Sequence, residues 1–364
     1  MNIIVIYGGQ SVEHDVSILT GLHAAKHLPR SAKIRLVYMA RDGQMLASGR
    51  RGVLSKIDYY LAKVGKPAPC WFTNKTLCTR WGFLTRRFVV DSVVNCCHGG
   101  PGEDGRLAAF FDVLGIPVTS CGPEAALAFQ SKSRTREILT KSDFAQPTYQ
   151  VLKGKGVANV PFDAFPVIVK PDTLGSSIGI TVANNQDELD SAIEFAFTMD
   201  DTVIVEQFIK SATEVNCAVF RCGGKTITSA CEVITKQGDM FSFDTKYLDS
   251  GSGFIKSPRG KKTATPKQRY KYEDEIKTLA ARAYDLFGAR GVVRADFLVA
   301  DDKIYLNEAN TIPGFLAYHL WKGIGLEYTT LLQMMTEQSI SASKKTLETG
   351  FSSDILQKNR ILVE

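Results

Sequence analysis

Two pairs of polar residues interrupt apolar, strand-like runs towards the C-terminal end of this 364-residue chain. In the run 291–299, Arg294 and Asp296 are two apart and so share one face of a strand; in 303–310, Glu308 and Asn310 do the same. Folding back at Asp301-Asp302 brings Asp296 roughly opposite Glu308. Three oxygen donors, from an aspartate, a glutamate and an amide, then converge beside a guanidinium. Burying such groups uncompensated is costly, so a cation is a natural partner. Hard oxygen donors in small number, with room for water and phosphate, favour Mg²⁺ over Zn²⁺. The competing account is a buried Arg–carboxylate network with no ion.

A second chemical candidate is the turn Gly175-Ser176-Ser177-Ile178-Gly179 between two strands, with Lys170 just upstream. Its backbone N–H groups and hydroxyls can cradle a phosphate, with the lysine as counter-charge. A plain hairpin turn is the alternative, and the G-K-[ST] ending of a Walker A loop is missing. Gly8-Gly9 follows the first strand, but G-x-G-x-x-G is absent, and Glu13-His14 stand where a pyrophosphate needs bare backbone. Cys96-Cys97-His98 does not read as a zinc site. Neighbouring strand residues point to opposite faces, and no second ligand pair follows.

The elements that must position these residues begin with alternating strands and helices. Residues 2–7 form a β-branched strand opening on Gly8-Gly9, 16–28 carry helical spacing, and 34–39 are again strand-like. The apolar run 88–97 reads as one strand ending in His98-Gly99-Gly100-Pro101-Gly102. A helix then starts at Glu103, with Leu107, Phe110, Phe111 and Leu114 on one face and Gly115 as its stop. This is doubly wound α/β logic, with ligands at the carboxyl ends of strands. Helical spacing over 124–139 follows, then strands at 165–170, 202–206, 215–220 and 226–235. A helix over 271–286 and the 291–310 hairpin complete the pattern.

Composition agrees with a multi-domain globular protein: 44% hydrophobic and 23% charged residues, and a length that implies two or three domains at about 150 residues each. The 44 basic and 38 acidic side chains leave +6. Residues 1–120 alone carry 15 basic and 8 acidic groups, yet no basic arm or nucleic-acid motif accompanies them. The basic cluster Lys256, Arg259, Lys261 and Lys262 reads as a solvated loop. The eight cysteines lack regular spacing and read as reduced, buried, small hydrophobes. No apolar run approaches the roughly 20 residues of a membrane helix, and the N-terminus lacks the basic flank and cleavage site of a signal peptide. A cytoplasmic protein without nucleic-acid or membrane partners is expected.

Five blocks occur in order: IYGGQSVEHDVS, HGGPGEDG, VIVKPDTLGSSIGI, FDTKY and RADFLVADDKIYLNEANTIPGF. Together they resemble the D-alanine–D-alanine ligases of the ATP-grasp superfamily. The resemblance runs from about residue 2 to about residue 335. It implies an α/β and α+β architecture: an N-terminal doubly wound parallel-sheet domain (1–121), a two-lobed ATP-grasp fold (122–210 and 211–340) and a polar tail (341–364). It also implies a reaction. The γ-phosphate of ATP passes to the first D-alanine carboxylate, the second amine attacks the acyl phosphate, and the dipeptide feeds peptidoglycan synthesis.

Residue by residue, the resemblance makes Asp296, Glu308 and Asn310 ligands of two Mg²⁺, with Mn²⁺ as a substitute. Lys132, Lys170, Ser177 and Lys246 become phosphate contacts. The hinge Glu206, Gln207, Phe208 and Ile209 holds adenine through backbone groups, and Glu214 holds the ribose. Arg294 and the Gly314 N–H face the oxyanion. Glu13, with His98 as neighbour, pairs with the first ammonium. Ser176 and Tyr247 join Glu13 in closing a loop over the site. A homodimer through the first domain is a further family expectation.

One departure bears on specificity. The family usually has serine five residues beyond the glycine of NTIPG, near the second substrate's carboxylate; this chain has His319. D-Serine, another amino acid or D-lactate therefore stands beside D-alanine as the acceptor, and a nucleotide-binding homologue without catalysis is the non-enzyme alternative. Smaller departures are MFSFDT before Lys246 and Ala295 in place of a commoner valine.

Overall fold

The computed structural model describes residues 1–48, 68–154, 165–234 and 270–342. The first layer grows from β1 (Asn2–Gly8), whose β-branched run is buried almost throughout. It pairs in parallel with β2 (Lys33–Met39) on one side and β7 (Ser92–Asn95) on the other. Helix α1 (His14–His27) makes the crossover between β1 and β2. The expected doubly wound core is present, but four strands extend it: β3 (Met45–Ser48), β4 (Ala68–Thr73), β5 (Thr76–Trp81) and β6 (Leu84–Val89), each antiparallel to the one before.

The strand order is β6-β5-β4-β3-β2-β1-β7. Only Val90 and Asp91 separate β6 from β7, a gap that spans about 10 Å at most, so the sheet curls until its two ends adjoin. The run 88–97, read as one strand, is thus two. Asp91 marks the change by accepting the Asn2 N–H at 2.7 Å. The next helix, α2 (Arg106–Val113), starts three residues later than expected, behind a 3₁₀ turn at Gly100–Gly102.

The helical stretch 124–139 is likewise two helices, α3 (Pro123–Gln130) and α4 (Lys132–Thr140), separated by Ser131 in an extended conformation. Ser131 breaks the helix because its hydroxyl accepts the Arg134 N–H, an N-cap that replaces an intrahelical bond. Two four-stranded antiparallel sheets follow. The first has β8 (Tyr149–Lys153), β9 (Val167–Pro171), β10 (Thr181–Ala183) and β11 (Thr202–Gln207) in the order β10-β9-β11-β8, with α5 (Gln186–Phe197) packed on it. The second has β12 (Thr213–Cys222), β13 (Lys225–Ile234), β14 (Val293–Ala300) and β15 (Lys303–Asn310) in the order β13-β12-β14-β15. Helix α6 (Glu273–Leu286) covers one face with Ile276, Ala280, Ala283 and Tyr284.

The chain then returns to the first layer through α7 (Tyr318–Lys322) and α8 (Tyr328–Ala342). Trp321 and Tyr328 share a core with Tyr7 and Val94 of the first sheet and Phe220 of the third. Ser339 is buried and hydrogen-bonded to Ser92 at 2.7 Å. Ser339 thus belongs to the packed core, and of the expected polar tail 341–364 all but the first two residues lie outside the described residues. The eight cysteines are free thiols. Among the described residues, no helix is long and apolar enough to cross a membrane.

Candidate active site

The β14–β15 hairpin turns at Asp301-Asp302, whose φ values of 49° and 58° are those of a two-residue hairpin turn. Asp296 lies opposite Glu308, as the sequence suggests, and Arg294 opposite Asn310, but by a route the spacing did not contain. From Ala300↔Lys303 the register runs unbroken to Phe297↔Leu306; it then shifts by one, with Asn307 as the extra residue. Without that bulge Asp296 would face Asn307, and Glu308 would point to the other side of the sheet.

Arg294 grips Asp296 with Nε and Nη2 at 2.7 and 2.6 Å, and Asn310 Nδ2 donates to the same carboxylate at 3.0 Å. Burial opposes the guanidinium's charge, but Asp296 and then Glu308 outweigh it and hold Arg294 firmly cationic. The competing network reading thus describes real contacts, yet it coexists with a donor set suited to a hard cation: two carboxylates and an amide. Among the described residues, no group of three or more His, Cys, Asp or Glu is gathered as metal donors. Asn216 on β12 extends the row, lying between Asp296 and Glu232 in register, its Oδ1 buried and without a protein partner among the described residues.

Beside this hairpin, Glu206 at the end of β11 accepts Arg136 Nε at 2.5 Å and Lys170 Nζ at 2.6 Å; all three are buried. Burial works against the Glu206 anion, but Lys170 and Arg136 overcome it and drive its pKa far below the carboxylate range. Lys170 also reaches Asn307 Oδ1 at 3.4 Å, and Arg136 donates to Leu306 O at 2.7 Å, so the network anchors the bulge itself. The side chain of Glu206 is engaged here. The N–H groups of Gln207 and Phe208 bond to Thr148 O and Pro166 O. Glu214 shares a face of β12 with Asn216.

Lys132 Nζ donates to the carbonyls of Pro171, Asp172 and Leu174, at the mouth of the Gly-Ser turn, and burial lowers its pKa. Ser176 and Ser177 hold φ of 54° and 60°, a left-handed conformation costly for residues with a Cβ. The turn is aimed across the molecule, because the Ser176 hydroxyl donates to Glu13 Oε1, 163 residues earlier in the chain.

Glu13 stands at the N-cap of α1, where β1 ends on Gly8-Gly9. At Gly99 a Cβ would come within 2.9 Å of Glu13 Oε2, so glycine is what lets the 98–102 loop close on this carboxylate. His98 is buried, which lowers its pKa against the pull of Glu13. Its Nε2 meets Thr20 Oγ1 at 2.7 Å, and the same oxygen accepts the Phe315 N–H at 3.1 Å. Gly314 opens the 3₁₀ turn Gly314–Ala317, so its N–H has no intrahelical acceptor. Phe315, Leu316 and Ala317 are all left-handed, strain of the kind that collects at working sites.

Two residues of this assembly were not singled out from sequence. Glu103 reads there only as a helix start. In the fold its carboxylate accepts N–H bonds from Gly99 and Ile312, both at 3.0 Å, and so ties the first layer to the loop after β15. Burial, with Glu13 adding to it, raises its pKa to about 7. Arg136 carries one visible signal, its place four residues after Lys132 in a polar helix. His319 contacts Glu232 Oε2 at 3.1 Å, beside the carboxylate row. Lys246 and Tyr247 lie outside the described residues, as does the basic cluster 256–262.

A strand-end carboxylate met by a Ser-rich turn, with lysines and an Asp/Glu/Asn hairpin on two adjoining antiparallel sheets, suits an ATP-dependent carboxylate–amine ligase on the ATP-grasp fold. The comparisons narrow the class. Residues 2–121 match the family model described as D-ala D-ala ligase N-terminus, and 137–337 match D-ala D-ala ligase C-terminus. A D-alanine–D-alanine ligase of Thermosipho africanus is 30% identical over 372 residues, covering 97% of each chain. The Coxiella burnetii D-alanine–D-alanine ligase structure superposes with a TM-score of 0.78 at 22% identity, covering 100% of both. The VanG D-Ala:D-Ser ligase of Enterococcus faecalis gives 0.76 at 26% identity, covering 93% of this chain and 99% of that one. The chain belongs to the D-alanine–D-alanine ligase family.

Proposed function

We propose that this protein joins two molecules of D-alanine at the expense of ATP, supplying a dipeptide for peptidoglycan. The observation that carries the reading is the Ser176–Glu13 hydrogen bond, which seats the loop of the ATP-grasp sheet on the strand-end carboxylate of the first layer. It puts a carboxylate suited to an ammonium group next to a turn suited to phosphate.

The ATP γ-phosphoryl group moves to the carboxylate of the first D-alanine, leaving ADP and an acyl phosphate. Glu13, with His98 adjoining, holds that substrate's ammonium. Lys132, Lys170, Lys246 and Ser177 neutralise the phosphates, while the 206–209 hinge and Glu214 receive adenine and ribose. Lys132 and Lys170 exchange their present carbonyl and carboxylate contacts for phosphate oxygens. The amine of the second D-alanine, deprotonated, attacks the acyl carbon, and phosphate departs from the tetrahedral species as hydrogen phosphate, taking up the proton that the amine gives up. Arg294 and the Gly314 N–H face the oxygen on which charge develops. Ser176, Tyr247 and Glu13 close the loop and exclude the water that would hydrolyse the acyl phosphate. Asp296, Glu308 and Asn310 are the residues that hold Mg²⁺, which supplies charge neutralisation at the phosphates when bound.

A second acceptor is favoured by one observation, the His319–Glu232 contact where the family usually has serine. An imidazole held by a carboxylate presents a different donor to the acceptor's carboxylate. Phosphate release with ATP and Mg²⁺ across D-alanine, D-serine and D-lactate separates the readings. Turnover with D-alanine alone supports the first, and turnover only when another acceptor is added overturns it.

A further inference from the structure

The N-terminal surplus of basic residues has a location in the fold that the ligase reaction does not use. Residues 68–90, which build β4, β5 and β6, contain Lys75, Arg80, Arg86 and Arg87 and no acidic residue. The β5–β6 hairpin runs past the core. Leu77 at its base is fully buried, whereas at its tip Phe83 is 109% exposed and Leu84 69%. Gly82, with φ of 59°, supplies the two-residue turn that thrusts Phe83 outward. Trp81 lies opposite Leu84 in the ladder, and Arg80, Arg86 and Arg87 form a cationic collar behind the tip.

We propose that this hairpin docks the protein on an anionic phospholipid surface. An apolar, aromatic tip backed by arginines matches a bilayer interface, where rings enter the headgroup layer and cations meet the anionic surface. The complementarity is one of charge, since nothing acidic in 68–90 competes for those arginines. Edge-to-edge pairing of this hairpin with a second copy fits less well. Pairing β6 with another β6 about a two-fold axis would set Arg86 against Arg87, a like-charge opposition that keeps edge strands apart. Nucleic acid fits less well too. Arg86 lies over the Trp81 ring and Arg80 over that of Trp71, at 5.9 and 5.8 Å, so each indole already has a cation on one of its two faces. The absence of a spanning helix bears on crossing a membrane and not on lying against one, so this departs from the sequence expectation of no membrane partner.

The chain has three tryptophans; Trp321 is buried in the core, and the other two are on β4 and β5. Their fluorescence therefore reports on this sheet. Full-length protein is mixed with vesicles of phosphatidylcholine alone or in equal parts with phosphatidylglycerol, then sedimented. The proposal expects co-sedimentation and a blue shift with the anionic vesicles only, weakened by salt. Each of Arg80→Gln, Arg86→Gln and Arg87→Gln lowers partitioning about fivefold, and the double variant Phe83→Ser/Leu84→Ser abolishes the shift while its Tm stays that of the parent. No partitioning at physiological salt, equal partitioning onto neutral vesicles, or partitioning unchanged in the tip variant would overturn it. So would oligonucleotide binding or self-association that the tip variant loses in place of vesicle binding.

Discussion

Two carboxylates, Glu206 buried and Glu103 half-buried, live under opposite conditions. Glu206 is clamped by Arg136 and Lys170, and those cations outweigh burial so far that it stays ionised across the working pH range. Glu103 accepts two backbone N–H groups, with the Glu13 charge set against it and Arg294 for it, and burial lifts it to about 7. The first is a fixed strut that supports the β15 bulge and hence the Asp296–Glu308 pair. The second joins two layers of the molecule through a group that changes charge near neutrality. The proposed ligase site thus has one wall that is electrostatically closed and one that responds to pH.

The sharpest way to break this contrast is at the cation-held wall. Arg136→Leu leaves Glu206 with one partner, and loss of about 3–5 kcal/mol is expected in urea denaturation. A change below 1 kcal/mol would mean that Glu206 does not depend on its clamp. Asp296→Asn keeps the shape but removes an anion; turnover should fall about 10²–10³-fold, with Tm shifting far less than in Arg136→Leu. At the interlayer wall, Ser176→Ala should raise the KM for the first substrate about tenfold, as loss of a hydrogen bond to a charged group does. ATP's KM should be little changed.

Glu103 gives a test whose direction matters more than its size. Its pKa is higher folded than unfolded, so the native state binds the extra proton between about 4.5 and about 7. The stability this contributes is complete below the unfolded value and is lost as pH rises through about 7. The Tm advantage of the parent over Glu103→Gln should therefore shrink from pH 5 to pH 8; growth over that range would contradict the assignment. The smallest effect is expected at His319→Ser, a few-fold change in acceptor KM exceeding that in ATP's KM. Equal changes would remove His319 from the acceptor end.

Much of this arrangement was legible in the sequence, for identifiable reasons. Strands with period-2 polar pairs, a two-residue Asp-Asp turn and five ordered blocks suffice to single out Asp296, Glu308, Asn310, Arg294, Ser176 and Glu13. The bulge at Asn307 was not legible, because no local residue pattern announces one extra residue in a ladder; Lys170 and Arg136 stabilise it from elsewhere in the chain. The break at Ser131 was readable in principle. Serine favours N-caps, but the apolar spacing ran through it and dominated the reading. The β4–β6 meander left its signals in Asn74-Lys75 and Gly82-Phe83, whose turns carry positive φ at Lys75 and Gly82. Glu103 was visible within HGGPGEDG, but its tie to Ile312 is a contact between residues 209 apart that only the fold supplies.

The central claim, that these walls enclose a site joining two D-alanines, is tested most directly by mass balance. Purified protein with ATP, Mg²⁺ and D-alanine as the sole amino acid should yield D-alanyl-D-alanine by mass spectrometry, with one ADP and one phosphate per dipeptide. Phosphate released without dipeptide, or dipeptide formed only with a different acceptor, would contradict it.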